Sequence, residues 1–453
     1  MNEFDLVVKG NIVPDATTMI ADGFIAMRNG KVVMVGGGAP PAAANTIDAR
    51  GRWVIPGVID GQVHSGSQAG FEGMGITSRA AAAGGVTVMV DMPYDSPAPV
   101  TNVALFNAKR EVAGRVCHVD HALIATIAPN EAGLDAIGGL IDAGAISFKF
   151  STYEANKTRF PRIEEDLLLE AMKRIAPSGL LCGVHNQDQE LSSKNIARSI
   201  EAGRVSAQDF CRAHTPLVEN LASAIIYELG AESGARAHVV HCSLARGFEI
   251  CNMYRNAGHH ASIETCVQYL MLDSDEHVTR FGNRTKHYPP MRPKAETERL
   301  WRHIADGDCD FVSSDHVAWG LERKADPDVF KCSAGGPGIE VLLPALWTGC
   351  EEHDLAPTRV VDLLCEGPAR AFGIAHRKGS LAPGKDADFV ILEKGEFTYD
   401  PSTSLSGVNW SSFEGRRLSV RVASTFVRGR LAWDGERVVN KAGDGEFLAP
   451  VRR

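Results

Sequence analysis

Two rhythms of apolar and polar positions alternate along the chain. Up to about residue 52, short β-prone runs (Leu6-Val-Val8, Phe24-Ile-Ala-Met27, Lys31-Val-Val-Met-Val35) are separated by turn residues. Asn29-Gly30 between two of them predicts a β-hairpin. From Trp53 the rhythm changes, and apolar β-branched runs alternate with helical periods. Eight runs are read as strands: 53–60, 86–91, 122–126, 145–150, 180–185, 238–241, 261–264 and 310–315. Between them, segments such as 163–173 and 217–226 repeat apolar residues every three or four positions, the mark of a helix with one buried face. Near-continuous apolar strands alternating with helices predict a parallel sheet covered on both sides. Eight such units predict a closed (β/α)8 barrel of the TIM type, whose chemistry gathers at the carboxyl ends of the strands. An open doubly wound sheet would carry a Gly-rich phosphate loop after its first strand, and none is present.

After Ala371-Phe-Gly-Ile374 the hairpin pattern returns, with a strand ending Gly379–Leu392 and a hairpin broken at Arg428-Gly429. The expected organisation is a small β-sandwich domain built from both ends of the chain, residues 1–52 and 378–440, flanking a barrel over 53–377. Residues 441–453 lack periodicity and read as an irregular tail or contact arm.

Composition narrows the partners. Forty-seven basic against 56 acidic residues give a net charge of −9 with no basic run, which argues against nucleic acid. No stretch approaches the ~18 consecutive apolar residues of a membrane span. The first residues lack the pattern of a secretory leader. Ten dispersed cysteines, without a CxxC pair, suggest neither a zinc ribbon nor a disulfide framework. A cytoplasmic protein acting on a small molecule is the expectation.

Candidate chemistry collects at predicted strand ends. The first run closes on Asp60, Gln62 and His64, which share a face if the strand is regular. Later strand ends supply Lys149, His185, His241 and Asp315, an unusual group for an apolar core. Lys149 sits within Ile146-Ser-Phe-Lys-Phe150, where a free ammonium costs several kcal/mol to bury. A buried lysine loses its proton readily and becomes nucleophilic. It can then capture carbon dioxide as a carbamate, or else pair with Asp315 or Glu264.

These motifs, Ile59-Asp-Gly-Gln-Val-His64, Ser147-Phe-Lys149, Val184-His185, Val240-His-Cys-Ser243 and Ser314-Asp-His316, resemble the amidohydrolase superfamily. More narrowly they look like the cyclic amidases: allantoinase, hydantoinase, dihydropyrimidinase and dihydroorotase. Phe71-Glu-Gly73, Thr77–Thr87, Asp91-Met-Pro93, Glu264-Thr-Cys266, Pro289-Pro-Met-Arg292 and the 379–392 run extend the resemblance from residue 5 to about 440. Phe71-Glu-Gly73, Gly203–Asp209 and Tyr269–Asp273 bring it nearest to allantoinase.

The resemblance implies a hydrolase opening a cyclic amide ring with one or two divalent ions, zinc foremost, with manganese and cobalt also suited. It implies His64 and Asp315 at a first ion, His185 and His241 at a second, and a carboxylated Lys149 bridging. A hydroxide between the ions would attack the ring carbonyl, Asp315 would carry the proton, and Tyr153 would hydrogen-bond the oxyanion. Tyr288, Gly335, Gly336 and Glu264 are expected among the substrate contacts, and a homo-oligomer, tetramer or dimer, is implied. The chain departs from the pattern at Gln62, which stands where the family has its first histidine and makes a weak or absent ligand. A single-ion enzyme acting on a linear amide or carbamate, or a non-catalytic relative, is the alternative reading. Tyr288 replaces a serine and Val267-Gln268 a Pro-His pair.

Overall fold

Strands β1 (Phe4–Ile12), β2 (Ile20–Arg28), β3 (Lys31–Gly36) and β4 (Ala43–Pro56) open the computed structural model, which describes residues 3–67 and 73–451. They join β13 (Phe389–Thr398), β14 (Arg417–Val427) and β15 (Arg430–Trp433) in one seven-stranded sheet, ordered β15-β14-β13-β4-β1-β2-β3. Both ends of the chain thus meet in a small β domain. The hairpins expected at Asn29-Gly30 and Arg428-Gly429 are formed.

The barrel consists of β5 (Val58–Val63), β6 (Val86–Asp91), β7 (Asp120–Ala125), β8 (Ser147–Ser151), β9 (Leu181–His185), β10 (Arg236–Val239), β11 (Ala261–Cys266) and β12 (Phe311–Ser313). Each pairs in parallel with its neighbour. The seam between β12 and β5 closes through a parallel bridge between Val63 and His316 and through the His64 amide, which donates to the His316 carbonyl at 2.8 Å. Asp60 reinforces it by accepting from the Ser314 amide at 3.0 Å.

The expected first strand is corrected. Residues 53–60 are not one strand: Trp53–Pro56 pairs with Phe389–Leu392 in the β domain, and the barrel strand begins at Val58. Pro56 ends the first pairing because it has no amide hydrogen to give. Gly57 lets the chain turn past β6, since a Cβ there would lie 2.1 Å from the Thr87 hydroxyl. Strand eight is also shorter than expected, stopping at Ser313.

Alternation along the strands separates two apolar layers. Inward residues Ile59, Val88, Val90, Ala122, Ile124 and Phe311 fill the lower barrel with Phe372 and Leu448. Phe148 and Phe150 point the other way, into the core shared with the helices. Lys149 between them is therefore turned inward. The helix Glu165–Ile175 shows why the outer layer holds: Leu167, Leu168, Ala171, Met172 and Ile175 form its buried stripe.

The β domain is seated on the amino end of the barrel by ions. The Lys378 ammonium donates to Asp120 and Asp388 at 2.6 Å each and lies 2.9 Å from Asp386. Three buried carboxylates that could have held a cation are thus answered by a lysine. Beside them runs the 441–451 segment as a contact arm. The His121 amide donates to the Glu446 carbonyl at 2.9 Å, and the Leu448 amide donates back to His121 at 2.8 Å.

Candidate metal centre

The strand ends bring Gln62, His64, Lys149, His185, His241 and Asp315 around one cavity of about 400 Å³ at the carboxyl mouth of the barrel. Each is delivered differently. His64 is the residue after β5, Lys149 lies within β8 and His185 ends β9. His241 and Asp315 fall two residues beyond β10 and β12, where the backbone adopts φ of 42° and 49°. Left-handed backbone is costly for residues with a Cβ, and it clusters where geometry is imposed by function.

Lys149 is buried and its ammonium nitrogen has no hydrogen-bond partner. Burial pushes its pKa down to about 8, against the pull of Glu264 and Asp315. His185 is pushed down to about 3 and His241 well below its usual value, in each case first by burial and next by Lys149. Both rings are therefore neutral at neutral pH, the state that can ligate. His185 Nδ1 and His241 Nε2 face each other at 2.9 Å. On the other side of His185, Nε2 meets Gln187 Oε1 at 3.3 Å, which places the proton there and makes Nδ1 the acceptor facing His241.

The first-ion side is built differently. Gln62 Nε2 donates to Asp315 Oδ1 at 2.9 Å, and His64 Nε2 lies 3.3 Å from the same oxygen. Burial would raise the Asp315 carboxyl, but the hydrogen bond and charge of His64 outweigh it and hold it below the usual carboxylate range. Asp60, expected on the same face, turns instead to Ser314, because β5 is irregular between Asp60 and Val63.

An orphaned buried amine beside two neutral imidazoles, whose facing nitrogens could exchange their mutual hydrogen bond for a shared cation, fits one divalent ion once the amine is carboxylated. The opposite side fits poorly. Gln62 presents its N–H face to Asp315, and its buried, unpartnered carbonyl oxygen is a neutral and poorer ligand than the imidazole it replaces.

Other expected contacts are placed less directly. Tyr288 and Gly335 line the cavity. Gly335 has φ of 92°, and a Cβ on it would strike Val317 at 2.3 Å. Gly336 sits one layer back, its carbonyl accepting from the Val317 amide at 3.1 Å. Tyr153 does not line the cavity; it packs behind Tyr288 with ring centroids 5.8 Å apart. Glu264 is corrected outright. It lies beneath the centre, accepting from the His241 amide and the Ser313 hydroxyl at 3.3 and 3.2 Å, and does not line the cavity. Burial raises its carboxyl to about 8. Phe71 and Glu72 of the Phe71-Glu-Gly73 match lie outside the described residues.

Two buried networks that the residue patterns did not disclose brace the mouth. Lys109 pairs with Asp91 at 2.5 Å and Asp95 at 2.9 Å, while Asp91 accepts from the Ser65 amide, so the loops after β5 and β6 share one anchor. Glu219 accepts from the Ser243 amide at 2.7 Å and from Arg292 Nη2 at 2.8 Å. This ties the turn after His241 to the Pro289-Pro-Met-Arg292 segment. The Gly203–Asp209 match is explained by a helix start, where Ser206 and Asp209 form a reciprocal cap. Arg159, Trp319 and Lys286 also line the cavity and were not foreseen; basic and aromatic residues in the loops after β8, β11 and β12 were the available signal.

A parallel barrel with polar and titratable side chains gathered at its carboxyl mouth defines the class of barrel enzymes. The chain belongs to the amidohydrolase family, whose model matches residues 53–432. It is similar to an allantoinase of Rubrobacter xylanophilus, 33% identical over 100% of this chain and 99% of the relative. An L-hydantoinase of Paenarthrobacter aurescens is 31% identical, with 98% of each chain covered. Among solved structures, the L-hydantoinase (dihydropyrimidinase) from Arthrobacter aurescens superposes with a TM-score of 0.93 at 30% identity, covering 98% of this chain and all of that one.

Proposed function

We propose that this protein hydrolyses the C–N bond of a cyclic amide or imide, allantoin-like or hydantoin-like, with the help of a divalent metal. The observation that carries the reading is Lys149, an inward, unpartnered amine among His185, His241 and Asp315. The allantoinase and hydantoinase relatives support the substrate class. Carboxylated Lys149, His185 and His241 would hold one ion, preferentially zinc, while His64 and Asp315 alone would hold a second only weakly beside Gln62. The bound ion supplies Lewis acidity and a water of lowered pKa.

The protein's own groups do the rest. Asp315, kept as an unprotonated acceptor by His64 and Gln62, takes a proton from water and hands it to the leaving ring nitrogen. Gln187 keeps His185 in one tautomer. Tyr153 backs Tyr288, which presents its ring beside His185 at 6.5 Å and bounds the space left for the substrate. Gly335 offers backbone where a side chain would not fit. Among the described residues no helix is long and apolar enough to cross a membrane. A cytoplasmic homo-oligomer, tetramer or dimer, completes the reading.

Ring opening of allantoin, substituted hydantoins, dihydrouracil and dihydroorotate by purified, metal-analysed protein tests it. Turnover of at least one is expected, and bound metal without turnover of any would overturn the reading. Gln62 sets a second expectation. The wild-type chain holds about one ion, and Gln62→His raises the metal content toward two when measured by elemental analysis. A wild-type content already at two would show that the glutamine does not impair the first position.

A further inference from the structure

Charge of one sign surrounds the cavity. Among the described residues, Lys149, Arg159, Lys286, Arg323 and Lys331 line it against one carboxylate, Asp315, in a chain whose net charge is −9. Some of these cations are already answered. The Lys286 ammonium donates to the Val329 and Cys332 carbonyls at 2.8 and 2.6 Å, and Lys331 lies 3.7 Å from Asp328. Lys149 belongs to the centre below.

Arg159 and Arg323 are different. Arg159 Nη1 donates to the Ser67 hydroxyl at 2.8 Å and the Tyr94 carbonyl at 3.1 Å. These bonds pin the loop after β8 to the loops after β5 and β6, and no carboxylate among the described residues pairs with the guanidinium. Its carbon lies 5.4 Å from the centroid of the Trp319 ring, and that of Arg323 lies 4.4 Å from the same ring. The indole is itself fixed, donating from Nε1 to the Ala334 carbonyl at 2.7 Å. Two guanidinium groups thus converge on one immobilised aromatic at the cavity wall. Burial first, and the like charge of Arg323 second, push the Arg159 pKa below its usual value. An anion in the cavity would relieve both effects.

We propose that Arg159, with Arg323 and Trp319, forms a subsite for an anionic substituent, so that the preferred substrate is a cyclic amide or imide bearing a carboxylate on a short side chain. The proposal rests on the ring-hydrolysis reading above and narrows it. A carboxylate meets the planar guanidinium in a charge-assisted pair, whereas a neutral or apolar substituent covers the same charge without compensating it. Discrimination therefore comes as much from rejecting uncharged rings as from holding the acid.

The test uses the metal-loaded full chain with hydantoin acetic acid and its primary amide, a neutral probe of nearly the same shape. Binding is measured by titration calorimetry and ring opening by initial rates, at one ionic strength. The acid is expected to bind at least about tenfold more tightly than the amide. Arg159→Gln should bring the two probes to near-equal affinity, while Arg159→Lys, which keeps the charge, should retain part of the preference and so report on folding. Equal or tighter binding of the amide by the wild type, no measurable binding of either probe, or a preference surviving in Arg159→Gln would overturn the subsite. Selective binding of the acid without ring opening would uphold the subsite and count against hydrolysis of this ring class.

Discussion

Replacing Lys149 by methionine removes metal and turnover together while leaving the fold intact. The side chain lies between Phe148 and Phe150 but points inward, buried and without a hydrogen-bond partner. A methionine fills much the same volume and carries no charge to desolvate, so stability holds or rises. The function it cannot replace is the proposed carbamate, which would turn one amine into a pair of anionic oxygens. The variant is expected to keep less than about a tenth of the wild-type metal and to lose at least about a thousandfold in rate, the scale of several kcal/mol of Lewis-acid stabilisation. Isotopically labelled carbon dioxide should give a carbamate resonance in the wild type and none in Lys149→Met. A variant that retained its metal would remove Lys149 from the centre.

The largest stability effect is expected away from the cavity, at Arg292. Its guanidinium donates to Glu219 at 2.8 Å, to the Ser243 hydroxyl at 2.9 Å and to the His214 carbonyl at 2.6 Å, all in the interior. Removing the cation strands the Glu219 carboxylate in a dry site. Arg292→Met should therefore cost about 3–5 kcal/mol, read as a shift in the midpoint of chemical denaturation. Adding Glu219→Gln should recover much of the loss, because the stranded charge is gone while an acceptor for Ser243 remains. A single variant that shifts the midpoint by less than about 1 kcal/mol would reduce this network to a surface-like pair.

The same residues show how far the chain could be read before its structure was known. Near-continuous apolar runs such as Val86–Asp91 gave away the barrel strands, because strands covered on both faces are apolar throughout. Lys149 stood out since nothing ordinary explains a lysine between two phenylalanines. Three features resisted. The change of sheet at Pro56-Gly57 is hidden because both flanking runs are equally β-prone, and only their partners differ. His241 and Asp315 hold left-handed backbone beyond the ends of their strands, so a regular strand continuation misplaces them. Tyr153 and Glu264 sit at plausible spacings, yet whether such a side chain fronts a cavity or backs its wall depends on loops from elsewhere in the barrel. Arg292 appeared as a motif without a reason until Glu219 was found against it.

The arm beneath the barrel bears on how the molecule can be made. The Glu446 amide donates to Asp120, 326 positions earlier, and Leu448 completes the apolar plug of the lower barrel. Its floor is therefore sealed by residues that leave the ribosome long after the strands they cover. During synthesis the nascent barrel stays open at its amino end, with Ile59, Val88 and Ala122 awaiting cover from Phe372, Ile374 and finally Leu448, all far later in the chain.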